Sequence, residues 1–126
     1  MATRTLVVLS AAIEAATGAA CIAVPDFVAR MLLGTDLSAG GIAVARLAGI
    51  ALLCLGLACW PGGGDATQSA IRALFTYNLL AAFYLGYLRV GGGFVSYLLW
   101  PACVLHAVLA ILLARPAYEE VSAAKG

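Results

Sequence analysis

Four apolar stretches, each about long enough to cross a lipid bilayer, occupy most of this 126-residue chain. A transmembrane helix needs about 20 predominantly apolar residues. The stretches cover residues 5–24, 40–60, 68–90 and 94–114. Stretches of this length fold as helices in hydrocarbon, because a helix pairs its own backbone polar groups. The sequence therefore predicts an all-α protein with one domain, an antiparallel four-helix bundle that is integral to the membrane.

Composition points to the same class of protein. Hydrophobic residues make up 64% of the chain and charged residues only 10%, with a mean hydropathy of +1.05. These values lie outside the usual range of soluble domains. Glu14 interrupts the first stretch at its middle, which favours a retained span over a secretory signal peptide. The expected partner is the lipid bilayer, and a net charge of +1 gives no reason to propose a nucleic-acid partner.

The basic residues beside the spans predict the orientation. With four spans, one side of the membrane holds Arg4, Arg72, Arg115 and Lys125, and the other holds Arg30 and Arg89. The positive-inside rule assigns the more basic side to the cytoplasm. We therefore expect a multi-pass protein of the inner (plasma) membrane with both termini cytoplasmic.

The connections between spans predict how the helices are arranged. Residues 25–34 begin with Pro25 and end with Gly34, and their apolar side chains share one side, which favours a short interfacial helix between the first two spans. Glycine-rich turns at 61–65 and 91–93 favour antiparallel neighbours on either side of each turn. The second and third spans, and then the third and fourth, are predicted to pack together.

Each span carries one polar anomaly, and these residues are Glu14, Arg46, Asn78 and His106. A rise of about 1.5 Å per residue sets Glu14, Asn78 and His106 near the midplane of the membrane. Arg46 lies nearer the outer face, but its long side chain could extend toward Glu14. Because unpaired charges are costly at this depth, we predict a Glu14–Arg46 ion pair that keeps Glu14 ionised.

Two tyrosines on one face of the third span, Tyr77 and Tyr84, complete the predicted ligand or ion-pair layer. A structural interpretation stands beside this one. Asn78 is also typical of a hydrogen-bond anchor between helices, and the tyrosines of packing with a satisfied hydroxyl group. Small residues on the same helix faces, among them Gly18, Gly49 and Gly56, favour close helix contacts.

The sequence contains no recognisable catalytic or metal-binding motif. The four cysteines have no Cys-x-x-Cys spacing and lie in or at the ends of the spans, so they are interpreted as packing residues. No Gly-x-Ser-x-Gly or His-Glu-x-x-His motif is present. We predict no catalytic residues, no metal and no cofactor.

Two family resemblances suggest functions. The segment 45–56, ARLAGIALLCLG, with a preceding helix that ends at Pro25 and two following spans, resembles the small four-helix bacterial membrane proteins of the DoxX-like group. This resemblance implies a membrane bundle that acts as an accessory subunit.

The segment 12–18, AIEAATG, resembles the first helix of the small multidrug resistance transporters. Those proteins carry a glutamate within the membrane at the position of Glu14. That resemblance implies proton-coupled transport of a small molecule. Arg46 departs from it, since it would compete with a cationic substrate for Glu14.

The leading hypothesis is a non-enzymatic four-span membrane protein. It would act as an accessory or assembly subunit, as a homo-oligomer or within a larger membrane complex, or it would bind a small lipophilic, quinone-like molecule in its polar midplane layer. The alternatives are a proton-coupled transporter that uses Glu14 and an intramembrane acid/base enzyme that uses Glu14 or His106.

Overall fold

The computed structural model describes residues 2–123, which form five α-helices. These are α1 (Thr3–Ala23), α2 (Pro25–Leu33), α3 (Ala39–Ala58), α4 (Gln68–Val90) and α5 (Leu99–Ala123). The helices α1 and α3 and the Leu99–Glu119 part of α5 are long and apolar enough to cross a membrane. The all-α class is confirmed, and the chain is a multi-pass membrane protein with three candidate spans.

Local signals set the starts of two long helices. The side chain of Ser38 accepts a hydrogen bond from the backbone nitrogen of Gly41 at 3.1 Å, and that of Thr67 accepts one from Ala70 at 3.3 Å. Both residues are N-caps that pair an otherwise free backbone N–H group. The limits of α4 agree with the predicted third span, 68–90.

The predicted short helix between the first two spans is α2. Pro25 occupies its first turn, where proline needs no backbone N–H partner. Gly34 ends the helix with a φ of 73°, and its N–H donates to the carbonyl oxygens of Ala29 and Arg30. Phe27 and Met31 are exposed on α2, in keeping with its predicted apolar side.

The fourth predicted span is displaced along the chain relative to α5. The expected start was residue 94, but α5 begins at Leu99, because residues 94–98 form a loop that contacts α2. In that loop the hydroxyl of Ser96 donates to the carbonyl oxygen of Met31. Pro101 lies in the first turn of α5, where its missing N–H costs little. The helix continues beyond residue 114 and includes Pro116.

The long helices pack as two pairs, α1 with α3 and α4 with α5. The prediction that the third and fourth spans are antiparallel neighbours is confirmed by the second pair. The second and third spans, by contrast, have no extensive interface between them in the described helices, since α3 packs mainly on α1. The cause is the glycine face of α3, which lies directly against the backbone of α1.

The start of α1, the α3–α4 loop and the later part of α5 lie at one end of the molecule, which we call the N-terminal end. Arg4 donates to the carbonyl oxygens of Gly62 and Gly64, each at 3.3 Å. Gln68 Nε2 donates to the carbonyl oxygen of Ala117 at 2.9 Å. The opposite end contains α2 and the loop 91–98.

The main hydrophobic core lies toward the N-terminal end. Its side chains come from the start of α1, the start of α4 and the later part of α5, and the fully enclosed ones include Val7, Leu74 and Leu113. These three elements join the two helix pairs to each other.

Candidate functional site

Within the described residues, the buried polar side chains meet where α1, α4 and α5 come together. Ser10, Glu14 and Asn78 are each at most 1% exposed. His106 retains 13% of its side-chain exposure beside them. We call these four residues, together with Tyr77, the polar layer.

Helix geometry explains why these side chains share one level. Ser10 and Glu14 are four residues apart on α1 and therefore lie on the same face. Asn78 and His106 come from α4 and α5, which pack against each other. The polar layer thus lies directly beyond the hydrophobic core, on the side away from the N-terminal end.

Asn78 is the centre of the hydrogen-bond network. Its Nδ2 atom donates to the carbonyl oxygen of Leu74 at 2.8 Å and to the hydroxyl oxygen of Ser10 at 2.9 Å. Its Oδ1 atom lies 2.8 Å from Nδ1 of His106. One amide group therefore connects the three helices, and both of its ends are paired.

Glu14 is only partly satisfied. Its Oε1 atom is buried without a hydrogen-bond partner among the described residues. The nearest cationic candidate is Nδ1 of His106 at 3.9 Å, which is too far for a hydrogen bond. The Tyr77 ring meets the His106 ring edge to face, with centroids 5.7 Å apart. A buried carboxyl oxygen without a partner is costly and marks a place where a ligand group would be stabilised.

On the side of Thr17, the α1 face that carries the polar layer is open beyond Glu14. Ser10 and Glu14 are buried, whereas Thr17, one turn farther on, is exposed and Cys21 is half-buried. Gly18, also one turn from Glu14, is buried against α3. Every α1 residue in the main core, ending with Ala11, precedes Glu14 in the chain. The polar layer therefore lies at the boundary between the packed core and an open face directed toward the opposite end.

The predicted ion pair between Glu14 and Arg46 is not formed, and Arg46 is exposed. The antiparallel register of α1 and α3 is the reason. Gly56 lies against Ala11 and Ala15, so Glu14 is level with the region near residue 55 of α3. Arg46 is about nine residues away along that helix, or roughly 13 Å at 1.5 Å per residue. Arg46 is therefore too distant to keep Glu14 ionised, as the sequence had predicted it would.

Tyr84 also lies outside the polar layer. It is 62% exposed, and its ring stacks on that of Tyr87 with centroids 6.4 Å apart. The helix turns that carry Tyr77 and Tyr84 share a face, but only Tyr77 reaches the level of Glu14.

Sequence reasoning left Ser10 out of the predicted site. Its signal was its position one turn before Glu14 on the same face of α1. A lone serine in an apolar helix is common, however, and only the contact with Asn78 shows its role.

A charged cluster at the opposite end serves to connect helices. Arg30 forms ion pairs with Asp36 and, at 3.0 Å, with Asp26. Both carboxylates raise the pKa of Arg30, and Asp36 has the larger effect. Asp26 also accepts a hydrogen bond from the backbone nitrogen of Leu37 at 3.0 Å, so the cluster fixes the α2–α3 connection.

An apolar groove of about 490 Å³ lies between α4 and α5. Its lining includes Phe75, Ala82, Cys103 and Ala107, and no residue of the polar layer belongs to it. Within the described residues, no three His, Cys, Asp or Glu side chains form a group that could hold a metal ion.

Comparisons with protein-family models, curated proteins and solved structures gave no match to this chain. The resemblances to the DoxX-like group and to the small multidrug resistance transporters therefore stay predictions.

Proposed function

We propose that this chain is a non-enzymatic, multi-pass membrane protein that binds a small lipophilic molecule, with the polar head of that molecule against the polar layer. The observation that carries this proposal is the Oε1 atom of Glu14, which is buried without a partner beside His106. The open face beyond Glu14 gives such a molecule a route from the membrane to the polar layer.

A purely structural network accounts less well for Glu14. Buried polar networks are stabilising when every member is paired, and they are costly when one member is not. Ser10 and Asn78 meet this condition through their mutual hydrogen bond. Glu14 is just as buried, at 1% exposed, but one of its carboxyl oxygens is unpaired. A bound head group would supply the missing partner.

Photo-crosslinking in lipid nanodiscs tests the proposal. The probe is a short-chain benzoquinone that carries a diazirine, applied in its oxidised and in its reduced form. We expect adducts on α1 between Glu14 and Cys21 and on the neighbouring parts of α4 and α5 with at least one form, and we expect excess unlabelled compound to suppress them.

Glu14→Leu should lower these adducts about tenfold, equivalent to the loss of one strong polar contact. Glu119→Leu is the matched control, because Glu119 is an exposed glutamate of α5 far from the polar layer. Circular dichroism checks that both variants keep their helices. Adducts spread over the lipid-facing surface, or equal in the Glu14→Leu protein, would refute binding at the polar layer.

Proton-coupled transport is the second candidate, and the position of Arg46 favours it. Arg46 would compete with a cationic substrate only if it paired with Glu14, and it is exposed roughly 13 Å away along α3. Binding of tetraphenylphosphonium should then release protons and be lost in Glu14→Gln. Binding without proton release would argue against this candidate.

The remaining parts of the functional hypothesis are also proposals. They are the role as an accessory or assembly subunit, the homo-oligomer or larger complex, the bacterial inner membrane, the cytoplasmic termini, and a place in the DoxX-like group. The apolar groove between α4 and α5 is compatible with a neighbouring helix, because alanine and cysteine side chains between its larger apolar ones leave room for close approach.

A further inference from the structure

The hydrogen bonds of Asn78 determine which nitrogen of His106 carries a proton. A backbone carbonyl oxygen can only accept, so the atom of Asn78 that lies 2.8 Å from the Leu74 oxygen must be the donor Nδ2. The other end of the amide is therefore the acceptor Oδ1. His106 Nδ1, 2.8 Å from that oxygen, must donate to it. In the neutral imidazole the second nitrogen, Nε2, is then a hydrogen-bond acceptor.

The polar layer consequently presents two groups without hydrogen-bond partners among the residues described. The first is Nε2 of His106, an acceptor on a side chain that keeps 13% of its exposure. The second is Oε1 of Glu14, whose carboxyl group has no cation within hydrogen-bond distance to hold it ionised. Nδ1 of His106 donates its proton to Asn78, and the nitrogen lies 3.9 Å from Oε1, so it does not satisfy Glu14.

We infer, on the basis of the proposed function, that the ligand head is a hydrogen-bond donor of the phenol or hydroquinone class. A hydroxyl group on an aromatic ring can donate to Oε1 of Glu14 or to Nε2 of His106. The carbonyl oxygen of a quinone would instead bring an acceptor against the acceptor Nε2. Each unmatched buried acceptor costs the binding about tenfold or more. The site therefore selects the reduced form of a quinone-like molecule over its oxidised form.

Equilibrium binding in nanodiscs tests this selection with three probes that share one ring and one short alkyl chain. They are a hydroquinone kept reduced under anaerobic conditions, the matching quinone, and the dimethyl ether of the hydroquinone, which has lost both donors. We expect the hydroquinone to bind about tenfold or more tightly than the other two. Equal or weaker binding of the hydroquinone overturns the inference and leaves the proposed function in place. If none of the three binds, the proposed function fails.

Two further measurements examine the residues themselves. His106→Phe removes Nε2, so the preference for hydroquinone over quinone should fall, whereas Thr5→Val, at an exposed position near the start of α1, should retain it. A preference that His106→Phe leaves unchanged would contradict the assignment to Nε2. The chain has one histidine, so ¹⁵N NMR of labelled histidine gives a single pair of ring signals. We expect a protonated Nδ1 and a bare Nε2 at pH 7, and a protonated Nε2 would overturn the acceptor assignment.

Discussion

At the scale of single residues, the most connected side chain is Asn78. Its amide group is fully buried and bonds to α1, to its own helix and to α5. A buried amide is favourable only while its partners are present, because unpaired polar groups are costly in a low-dielectric interior. The residue therefore stabilises the junction of the helices and fixes the orientation of His106 for any ligand.

Replacement of Asn78 by leucine tests its structural part. Asn78→Leu removes the acceptor for His106 and the donor for Ser10, and we expect a loss of about 1–3 kcal/mol in the free energy of unfolding. Thr76→Val on the exposed side of α4 is the matched control, with little expected effect. Unfolding in mixed detergents, followed by circular dichroism, measures both. Equal stability of the two variants would contradict a central role for Asn78.

A double-mutant cycle tests the separation of Glu14 from Arg46. Because the two residues are roughly 13 Å apart along the helix register, Glu14→Leu and Arg46→Leu should be additive within about 0.5 kcal/mol. The pair of Glu14→Leu with His106→Leu is the positive control, since those side chains approach to 3.9 Å. A coupling energy above about 1 kcal/mol between Glu14 and Arg46 would show that the two side chains do form an ion pair.

At the scale of helices, backbone contact between α1 and α3 decides which helices are neighbours. A Cβ atom at Gly18 would lie 2.5 Å from the backbone nitrogen of Leu53 and 2.6 Å from the carbonyl oxygen of Gly49. A Cβ atom at Gly56 would lie 2.6 Å from the carbonyl oxygen of Ala11. Only glycine allows this approach, and the packing of backbones is a main source of helix association in membranes.

Gly56→Ala should therefore separate the two helices. The added methyl group has no space against the α1 backbone, and we expect a loss of about 1–3 kcal/mol of stability, the usual range for overpacking. Gly40→Ala in the same helix is the control, because its nearest contact would be Ser38 Oγ at 4.0 Å. It should be neutral or slightly stabilising, as alanine is the better helix former. The same unfolding assay measures the stability of both variants. Similar losses of stability in both would argue against the close contact at Gly56.

The sequence predicted the helices better than their partners. Caps such as Ser38 and Thr67 and the proline at the start of α2 act within one turn, so the starts of helices follow from local chemistry. The common level of Glu14, Asn78 and His106 also followed, because a level along a helix is a count of residues. The choice of neighbour did not, since it depends on which glycine face meets which backbone. The ion pair between Glu14 and Arg46 was predicted from their depths alone. The register of α1 against α3 places the two residues too far apart to form it.

At the scale of the whole molecule, two helix pairs join through a core at the N-terminal end and the polar layer lies at its limit. Composition alone does not identify α4 as a span, since α4 is not among the three helices that are long and apolar enough to qualify. Its contacts with α5 support a crossing. Gln68 contacts Ala117, and the Ala82 carbonyl oxygen accepts from Cys103 Sγ at 3.3 Å. These contacts are 14 residues apart on each helix, or about 21 Å at 1.5 Å per residue.

A helix that runs beside α5 for most of a bilayer's thickness must cross the membrane with it, so we predict four crossings. Single-cysteine variants, made after replacement of the four native cysteines, are labelled from each side with an impermeant maleimide. Ala2→Cys and Gly63→Cys should react from one side, and Thr35→Cys and Tyr97→Cys from the other. Gly63 has no heavy atom within 4 Å of an added Cβ, and Tyr97 is 99% exposed, so both positions tolerate the change. The pair that decides is Gly63 and Tyr97, because they flank α4. Reaction of both from the same side would leave α4 outside the bilayer and would separate it from α5, which contradicts the packed pair.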